Sequence, residues 1–234
     1  MPAGIRVTNG SNILLIDERF YNYTFVSKST ITFASNNSSG LWTGGSAASA
    51  ILTISGVDSP IVAARSSVGW VLAASGKVGS NWVFHFSGGL SLGTAAPGDT
   101  MEVFVFDRPR TLSGPGVGLR VWDESGLNVY DSRQNYLRIL DYRTFNVGLG
   151  VDVSVAGNIA QVILLNAWAK SLTPTIPESG QWLIRAGFIR PITGGYNVSL
   201  LNYAEGSYNP VQPPPFSVSQ QPATTIMTID VSGY

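Results

Sequence analysis

The 234-residue chain is long enough for one large or two medium domains with a buried core. Only 12% of its residues are charged, its formal net charge is zero, and it has one histidine, His85, and no cysteine. This composition excludes disulfides and thiolate or polyhistidine metal sites, and it offers no basic face for nucleic acid. The longest apolar runs are too short to cross a bilayer, so we expect no membrane insertion.

The elements predicted along the chain are strands. Helical periodicity is weak, whereas short alternating or apolar runs recur between clusters of Gly, Ser and Asn. In the first half we predict strands at Gly4–Thr8, Ile13–Ile16, Tyr23–Phe33, Ala50–Ser55, Ile61–Arg65, Gly69–Ala74, Trp82–Phe86 and Glu102–Phe106. In the second half we predict Gly118–Trp122, Leu127–Tyr130, Tyr136–Tyr142, Asn146–Val155, Ile159–Ala167, Trp182–Phe188, Tyr196–Tyr203 and Ala223–Val231. Short strands at this spacing predict an all-β fold of the sandwich type.

The opening segment of the chain recurs 114 residues later. Of the twenty ungapped positions from Gly4 to Tyr23, six are identical in the second copy. The identical pairs are Gly4/Gly118, Arg6/Arg120, Val7/Val121, Ser11/Ser125, Asp17/Asp131 and Arg19/Arg133. We interpret this as a duplication that gives two tandem, related β-sandwich domains, 1–113 and 114–234, each starting with the same hairpin. The joint falls in a segment rich in Pro and Gly, as linkers usually are.

Each copy ends in Asp-x-Arg, at Asp17 and Arg19 and again at Asp131 and Arg133. Residues two apart on a strand share a face, so each Asp is expected to pair with its Arg or with neighbouring backbone. No nucleophile, histidine or cluster of metal ligands accompanies either copy. We therefore predict that the two pairs are structural and close the hairpins.

Two loops are candidates for interactions. Trp42 lies in the polar, Gly-rich loop Ala34–Ser49, where it can contact a partner protein or stack on a sugar. The segment Glu205–Ala223 contains Pro213, Pro214 and Pro215 followed by Phe216. These prolines predict an extended polyproline II arm, which packs along its own domain or reaches a neighbouring subunit.

Nothing in the sequence predicts an enzyme or a cofactor. The segment Gly89–Gly93 matches the nucleophile-elbow pattern, but the only histidine, His85, precedes Ser91 and no helix follows. We interpret His85 as a structural residue of a strand. The Asp-Glu-Ser-Gly run at Asp123–Gly126 fits either a calcium site or a hairpin turn, and Asp and Gly favour the turn.

Three segments of the chain resemble a group of virion proteins that tailed bacteriophages encode among their tail-tip and tail-fibre genes. The segments are MPAGIRV at Met1–Val7, FDRP at Phe106–Pro109 and the second hairpin with VYDSR at Val129–Arg133. Tyr130 stands where that group has Phe. The resemblance covers the N-terminal hairpin and a central stretch, and its motifs are structural. It therefore implies a location in the virion tail, after synthesis in the host cytoplasm, and it does not imply a reaction.

The expected function is that of a structural component of a phage tail tip or tail fibre, which mediates tail assembly and host attachment. The expected partners are other tail proteins, further copies of the chain in a homo-oligomer, and a host surface glycan or receptor. The alternative is a carbohydrate-binding β-sandwich module that recognises host surface glycans through exposed aromatic residues such as Trp42. An enzyme such as a depolymerase is the least favoured class.

Overall fold

The computed structural model describes residues 6–8, 14–17, 22–35, 38–39, 42–43, 48–89, 93–110, 112, 116–146, 150–165, 168–174, 180–208, 219–221 and 223–234. These residues form strands, turns and loops without a helix, which confirms the predicted all-β class. The strands are β1 (Arg6–Thr8), β2 (Leu14–Asp17), β3 (Thr24–Thr32), β4 (Ser38–Ser39), β5 (Trp42–Thr43), β6 (Ser49–Ile54), β7 (Ile61–Ser66), β8 (Val71–Val78), β9 (Asn81–Ser87), β10 (Thr100–Asp107), β11 (Arg120–Trp122), β12 (Asn128–Asp131), β13 (Ile139–Asn146), β14 (Val151–Ser154), β15 (Ile159–Leu165), β16 (Trp168–Pro174), β17 (Gly180–Ile192), β18 (Gly195–Tyr208), β19 (Ser219–Gln221) and β20 (Ala223–Asp230). None of the described segments is a helix long and apolar enough to span a membrane.

The largest sheet has six antiparallel strands in the order β13-β20-β15-β7-β10-β3. The side chains of β10 show that this sheet is buried on both faces. Met101, Val103 and Val105 point to one face, and Phe104 and Phe106 point to the other. All five side chains are buried, so apolar layers cover the sheet on both sides.

The first layer is made by two further sheets. A three-stranded sheet, β6-β9-β8, and a five-stranded sheet, β14-β18-β17-β16-β19, contribute to the same core as one face of the six-stranded sheet. An isolated bridge joins the two, in which the backbones of Trp70 and Ile189 exchange hydrogen bonds of 2.9 Å in both directions. The largest core of the molecule therefore lies between the six-stranded sheet and this composite layer.

A second core covers the opposite face of the six-stranded sheet. Phe104 and Phe106 pack there with Met227 and Ile229 of β20. The ring of Tyr234 lies 5.3 Å from that of Phe106, centroid to centroid, in an edge-to-face arrangement. Such pairs stabilise a core beyond the area they bury.

The two halves of the chain meet in the six-stranded sheet. Strands β3, β7 and β10 come from the part before residue 113, and β13, β15 and β20 come from the part after it. The junction is the pairing of β15 with β7, through Gln161 and Ala64. The division into two tandem β-sandwich domains, 1–113 and 114–234, stays a prediction.

Candidate functional site: the repeated hairpin and the FDRP segment

The second hairpin, β11–β12, turns through a loop organised by one aspartate. Oδ1 of Asp123 accepts hydrogen bonds from the backbone amides of Ser125 and Leu127, both at 2.9 Å, and from the Ser125 hydroxyl at 2.7 Å. The bonds from Ser125 and Leu127 lower the pKa of Asp123. Gly126 completes the turn with a φ of 80°, in the left-handed region that favours glycine. The run therefore has the geometry of a hairpin turn.

An ion cluster closes the same hairpin at the other end. The side chain of Asp131 is 0% exposed, and its Oδ2 lies 3.0 Å from Nε of Arg120 and 2.6 Å from Nη2 of Arg133. Its Oδ1 accepts from the Arg133 backbone amide at 3.1 Å and from Arg133 Nε at 2.9 Å. These bonds, led by those from the Arg133 side chain, hold the pKa of Asp131 far below its usual range despite its burial. Two guanidinium groups therefore share one buried carboxylate.

Tyr136 locks the backbone of the cluster. Its hydroxyl donates to the Asp131 carbonyl oxygen at 2.7 Å and accepts a hydrogen bond from the Asp131 amide. Its ring stacks on that of Tyr130, with centroids 4.8 Å apart and planes at 8°. Burial raises the pKa of Tyr136 to about 12. Asp131, the last residue of β12, is thus held through its carboxylate and through its backbone amide and carbonyl groups.

The first hairpin, β1–β2, has the same backbone register as the second. Arg6 pairs with Asp17 as Arg120 pairs with Asp131, and the bounds of all four strands differ by the same 114 residues. The register shifts after the second residue of the first strand in both copies, after Val7 in one and after Val121 in the other. The repeat in the sequence therefore corresponds to one hairpin geometry, including its irregularity.

The FDRP segment is anchored by Asp107. This buried carboxylate accepts hydrogen bonds from the backbone amides of Asp58 and Ser59, both at 2.9 Å. Arg108, the next residue, lies 2.7 Å from the Asp58 carboxylate. The aspartate thus ties the end of β10 to the turn that precedes β7.

Arg110, the residue after the FDRP segment, contacts Gln134, the residue after the VYDSR motif of the second hairpin. The Gln134 side chain donates to the Arg110 carbonyl oxygen at 2.6 Å and accepts from the Arg110 amide at 3.3 Å. A cleft of about 530 Å³ is lined by residues 107–110, by the turn at 56–58 and by residues 126–128 of the hairpin. Oδ1 of Asn128 is buried at this place without a hydrogen-bond partner in the described structure. Two segments that are separate in the sequence thus form one structural unit.

Of the residues predicted to interact or to form repeat pairs, the structure brings Asp131 and Arg133 together. Asp17 is placed in β2 and Trp42 in β5, where Trp42 pairs with Ser39, but only the backbone pairing of these strands is described. Arg19, Pro213, Pro214, Pro215 and Phe216 lie outside the described residues. The predictions for the Trp42 loop and the Pro-rich arm therefore remain predictions.

His85 lies in β9, between Phe84 and Phe86, and is buried. Burial lowers its pKa, which favours the neutral imidazole. Ser91 of the elbow-like pattern lies outside the described residues. Within the part of the chain that the structure describes, no three His, Cys, Asp or Glu side chains are grouped as metal ligands.

The sequence analysis missed two members of the Asp131 ion cluster, Arg120 and Tyr136. Arg120 lies across the hairpin from Asp131. The identical pair Arg6/Arg120, combined with the register of a hairpin, would have placed an arginine opposite the aspartate. Tyr136 lies beyond the repeat and has no counterpart at the 114-residue offset, where Asn22 stands.

No family model, no curated protein and no solved structure matches this chain.

Proposed function

We propose that this chain is a structural component of a phage tail tip or tail fibre, without enzymatic activity, that mediates tail assembly and host attachment. The observation that carries the proposal is the packing of FDRP beside the second hairpin. Residues 107–110 and 126–128 line one cleft, and Gln134 bonds to Arg110. Two of the three motifs behind the resemblance to tail proteins thus lie side by side, as expected when a group of proteins shares a module.

The surface of the second hairpin supports a role in assembly. Trp122 and Leu127 are each 51% exposed, and Leu119 is also exposed on the same hairpin. Large apolar side chains grouped on a small element are typical of contacts with other proteins. These residues are the proposed contact with a neighbouring tail protein.

An edge strand supports the proposed homo-oligomer. Strand β13 is the terminal strand of the six-stranded sheet, and Ile139, Leu140 and Tyr142 on it are exposed, Tyr142 by 62%. An edge with exposed apolar residues favours pairing with another strand. The opposite edge, β3, carries Lys28 and a run of Ser and Thr instead, which discourages such pairing.

The proposal is tested in the phage itself. An amber mutation in the gene, propagated on a non-suppressing host, is expected to yield particles with defective tails or particles that do not adsorb. Wild-type protein supplied in trans should restore them, and electron microscopy with specific gold labelling should place the protein on the tail. Normal, infectious particles that lack the protein would contradict the proposal.

The contact surface has its own test in the same system. Complementation with Trp122→Ser/Leu127→Ser is expected to restore fewer tails than wild type, because the apolar contact is lost. Complementation with Val117→Ser, a change at a fully exposed apolar residue before the hairpin, serves as the matched control. Equal complementation by all three proteins would place the contact elsewhere.

Binding of host surface glycans through Trp42 is the second candidate function. It rests on the position of Trp42 between Ser and Gly residues and on its aromatic chemistry. A glycan array with the wild-type protein and with Trp42→Ala tests it. Retained glycan binding in Trp42→Ala would remove this role from Trp42.

A further inference from the structure

Strand β13 is an open edge of the six-stranded sheet. Strand β20 pairs with one side of it, and no described strand pairs with the other side. The large apolar side chains of Ile139, Leu140 and Tyr142 on this strand are exposed. Another strand can add to a sheet at such an edge. The charges on β13 select which strand that is.

The edge is regular from Asp141 onward. The register with β20 shifts between Ile139 and Asp141, so Leu140 is an extra residue on this strand. From Asp141 to Asn146, each residue is matched by one residue of β20. Asp141 and Arg143 therefore lie on the same face of the regular part, and Tyr142 lies on the opposite face.

The carboxylate of Asp141 is incompletely satisfied by its own chain. Its Oδ2 lies 2.6 Å from Nε of Arg143, but this buried oxygen forms no hydrogen bond in the described structure. The Arg143 side chain is 51% exposed, so its guanidinium group is accessible to a further carboxylate. A strand that presents an arginine to Asp141 and a carboxylate to Arg143 would form charge-assisted hydrogen bonds with both groups.

A second copy of β13 can present these groups only in certain registers. Residues directly opposite each other in an antiparallel pair both direct their backbone polar groups toward the other strand, or both direct them away from it. These orientations alternate along a strand. Two identical strands must therefore pair with a residue, and not a peptide link, at the centre of symmetry.

The charges distinguish the registers that this geometry allows. Centring on Arg143 would place two guanidinium groups opposite each other, which is unfavourable. Centring on Thr144 would place Arg143 opposite the partner's Phe145, without a charge pair. Centring on Tyr142 places Asp141 opposite the partner's Arg143, and by symmetry this pair occurs twice. The edge is thus complementary to itself in one register.

We propose that two copies of this chain associate through antiparallel pairing of β13 with β13, centred on Tyr142. The pairing forms two ion pairs between the copies and brings the two Tyr142 rings together. It joins the two six-stranded sheets into one continuous sheet. The proposal specifies the homo-oligomer of the proposed function and rests on that part of it.

The experiment is sedimentation velocity of the isolated full chain over a range of concentrations. Wild-type protein is expected to form a dimer. Asp141→Arg and Arg143→Asp are each expected to raise the dissociation constant of the dimer at least about tenfold, because both ion pairs become like-charge pairs. Glu124→Arg, a charge reversal at an exposed residue of the second hairpin, is the control and should leave the dissociation constant unchanged.

A mixture of the two β13 charge variants separates direct pairing from a loss of structure. Circular dichroism establishes that each variant is folded. An equimolar mixture of Asp141→Arg and Arg143→Asp should form a heterodimer with wild-type affinity, since the cations of one variant then face the anions of the other. Loss of the Asp141–Arg143 contact within each chain would not produce this recovery.

Cross-linking tests the register without a change of charge, and it stays decisive where a charge variant fails to fold. The chain has no cysteine, so Tyr142→Cys introduces a single thiol at the centre of the pairing. Opposite residues of an antiparallel pair lie within disulfide reach, so mild oxidation should give a covalent dimer. Thr144→Cys is the matched control, because its two thiols would lie about 13 Å apart along the strands and should not link.

The proposal is overturned by a monomeric wild type, by a mixture of folded charge variants that stays monomeric, or by faster cross-linking of Thr144→Cys than of Tyr142→Cys. These outcomes are independent of the amber mutant, which tests the location of the protein in the phage. Defective tails in the amber mutant together with a monomeric isolated chain would reject the β13 pairing alone.

Discussion

Nε of Arg120 lies 3.0 Å from Oδ2 of Asp131, across the two strands of the second hairpin. The corresponding residues of the first hairpin, Arg6 and Asp17, are register partners in the same way. In the second hairpin the carboxylate is fully buried, whereas the Arg120 and Arg133 side chains are partly exposed. A buried charge of this kind is stable only while its partners remain in place.

We expect Asp131→Ala to lower the free energy of unfolding by about 2 kcal/mol, because several charge-assisted hydrogen bonds are lost while the two arginines retain access to water. For a chain of this size, that corresponds to a fall in Tm of about 4–8 °C. Thermal unfolding followed by circular dichroism measures it. Glu124→Ala, at an exposed carboxylate of the same hairpin, is the control and should leave Tm unchanged. An unchanged Tm in Asp131→Ala would show that the cluster does not stabilise the fold.

Stability is expected to fall in acid, and Asp131 should contribute to that fall. Its pKa is lower in the folded chain than the value of about 3.9 for an unfolded one, so the unfolded chain binds the proton first. The contribution of Asp131 is therefore complete above about pH 5 and is lost progressively as the pH drops below about 4. Tm measured from pH 2 to 7 should decline less steeply in Asp131→Asn than in the wild type. Equal declines of Tm with pH in the two proteins would contradict the contribution of Asp131 to the loss of stability in acid.

Tyr136→Phe removes the hydroxyl that bonds both backbone groups of Asp131. We expect a loss of about 1–2 kcal/mol, because an amide and a carbonyl lose a partner in a partly buried place. Urea unfolding measures the change. Tyr130→Phe makes the same substitution on the stacked ring, whose hydroxyl has no bond in the described structure, and should cost less. Equal losses in the two variants would contradict a specific role of the Tyr136 hydroxyl.

Alkaline titration should show that Tyr136 ionises late, together with Tyr196 and Tyr234, whose pKa values burial also raises. Burial raises the pKa of Tyr136 to about 12, above the usual value of about 10. The stability linked to Tyr136 is therefore complete below about pH 10 and is lost as the pH rises toward 12. Tyrosinate absorbance from pH 8 to 13 should lose a late-titrating component in Tyr136→Phe. An unchanged titration curve in the variant would contradict the burial of this hydroxyl.

Gly126 offers a test of the hairpin turn. A side chain here meets open space, so only the φ of 80° opposes one. Gly126→Val is expected to cost about 1–2 kcal/mol, since a β-branched residue is strained in this region. Gly126→Asn should be tolerated better, because Asn adopts such angles and Asn12 occupies the corresponding position of the first copy. Equal Tm values for the two variants would argue against this turn geometry.

The class of fold could be predicted because it depends on local patterns. The alternation of side chains in residues 101–107 predicted a strand with two different faces. In the structure the two faces of β10 contribute to two different cores. The neighbours of each strand could not be predicted. Strand β15 pairs with β7, almost a hundred residues earlier, through contacts that no local pattern encodes. The predicted strand at Asn146–Val155 is shorter in the structure, where β14 spans Val151–Ser154.

The candidate site was predicted in part for the same reason. Asp131 and Arg133 are two residues apart, so their contact could be inferred from spacing, although Arg133 lies just past the end of β12. The contact of Arg120 with Asp131 could be inferred only from the register of the hairpin, which places the two residues opposite each other.

The position of β20 has a consequence for biosynthesis. It lies between β13 and β15 in the six-stranded sheet, yet Ala223–Asp230 leaves the ribosome after all the other strands of that sheet. Until then, β13 and β15 lack their shared neighbour, and both cores lack the β20 side chains Ile226 and Ile229. From the synthesis of β15 until β20 emerges, the nascent chain therefore carries two open strand edges, a state that favours aggregation. The six-stranded sheet cannot be completed on the ribosome before β20 emerges.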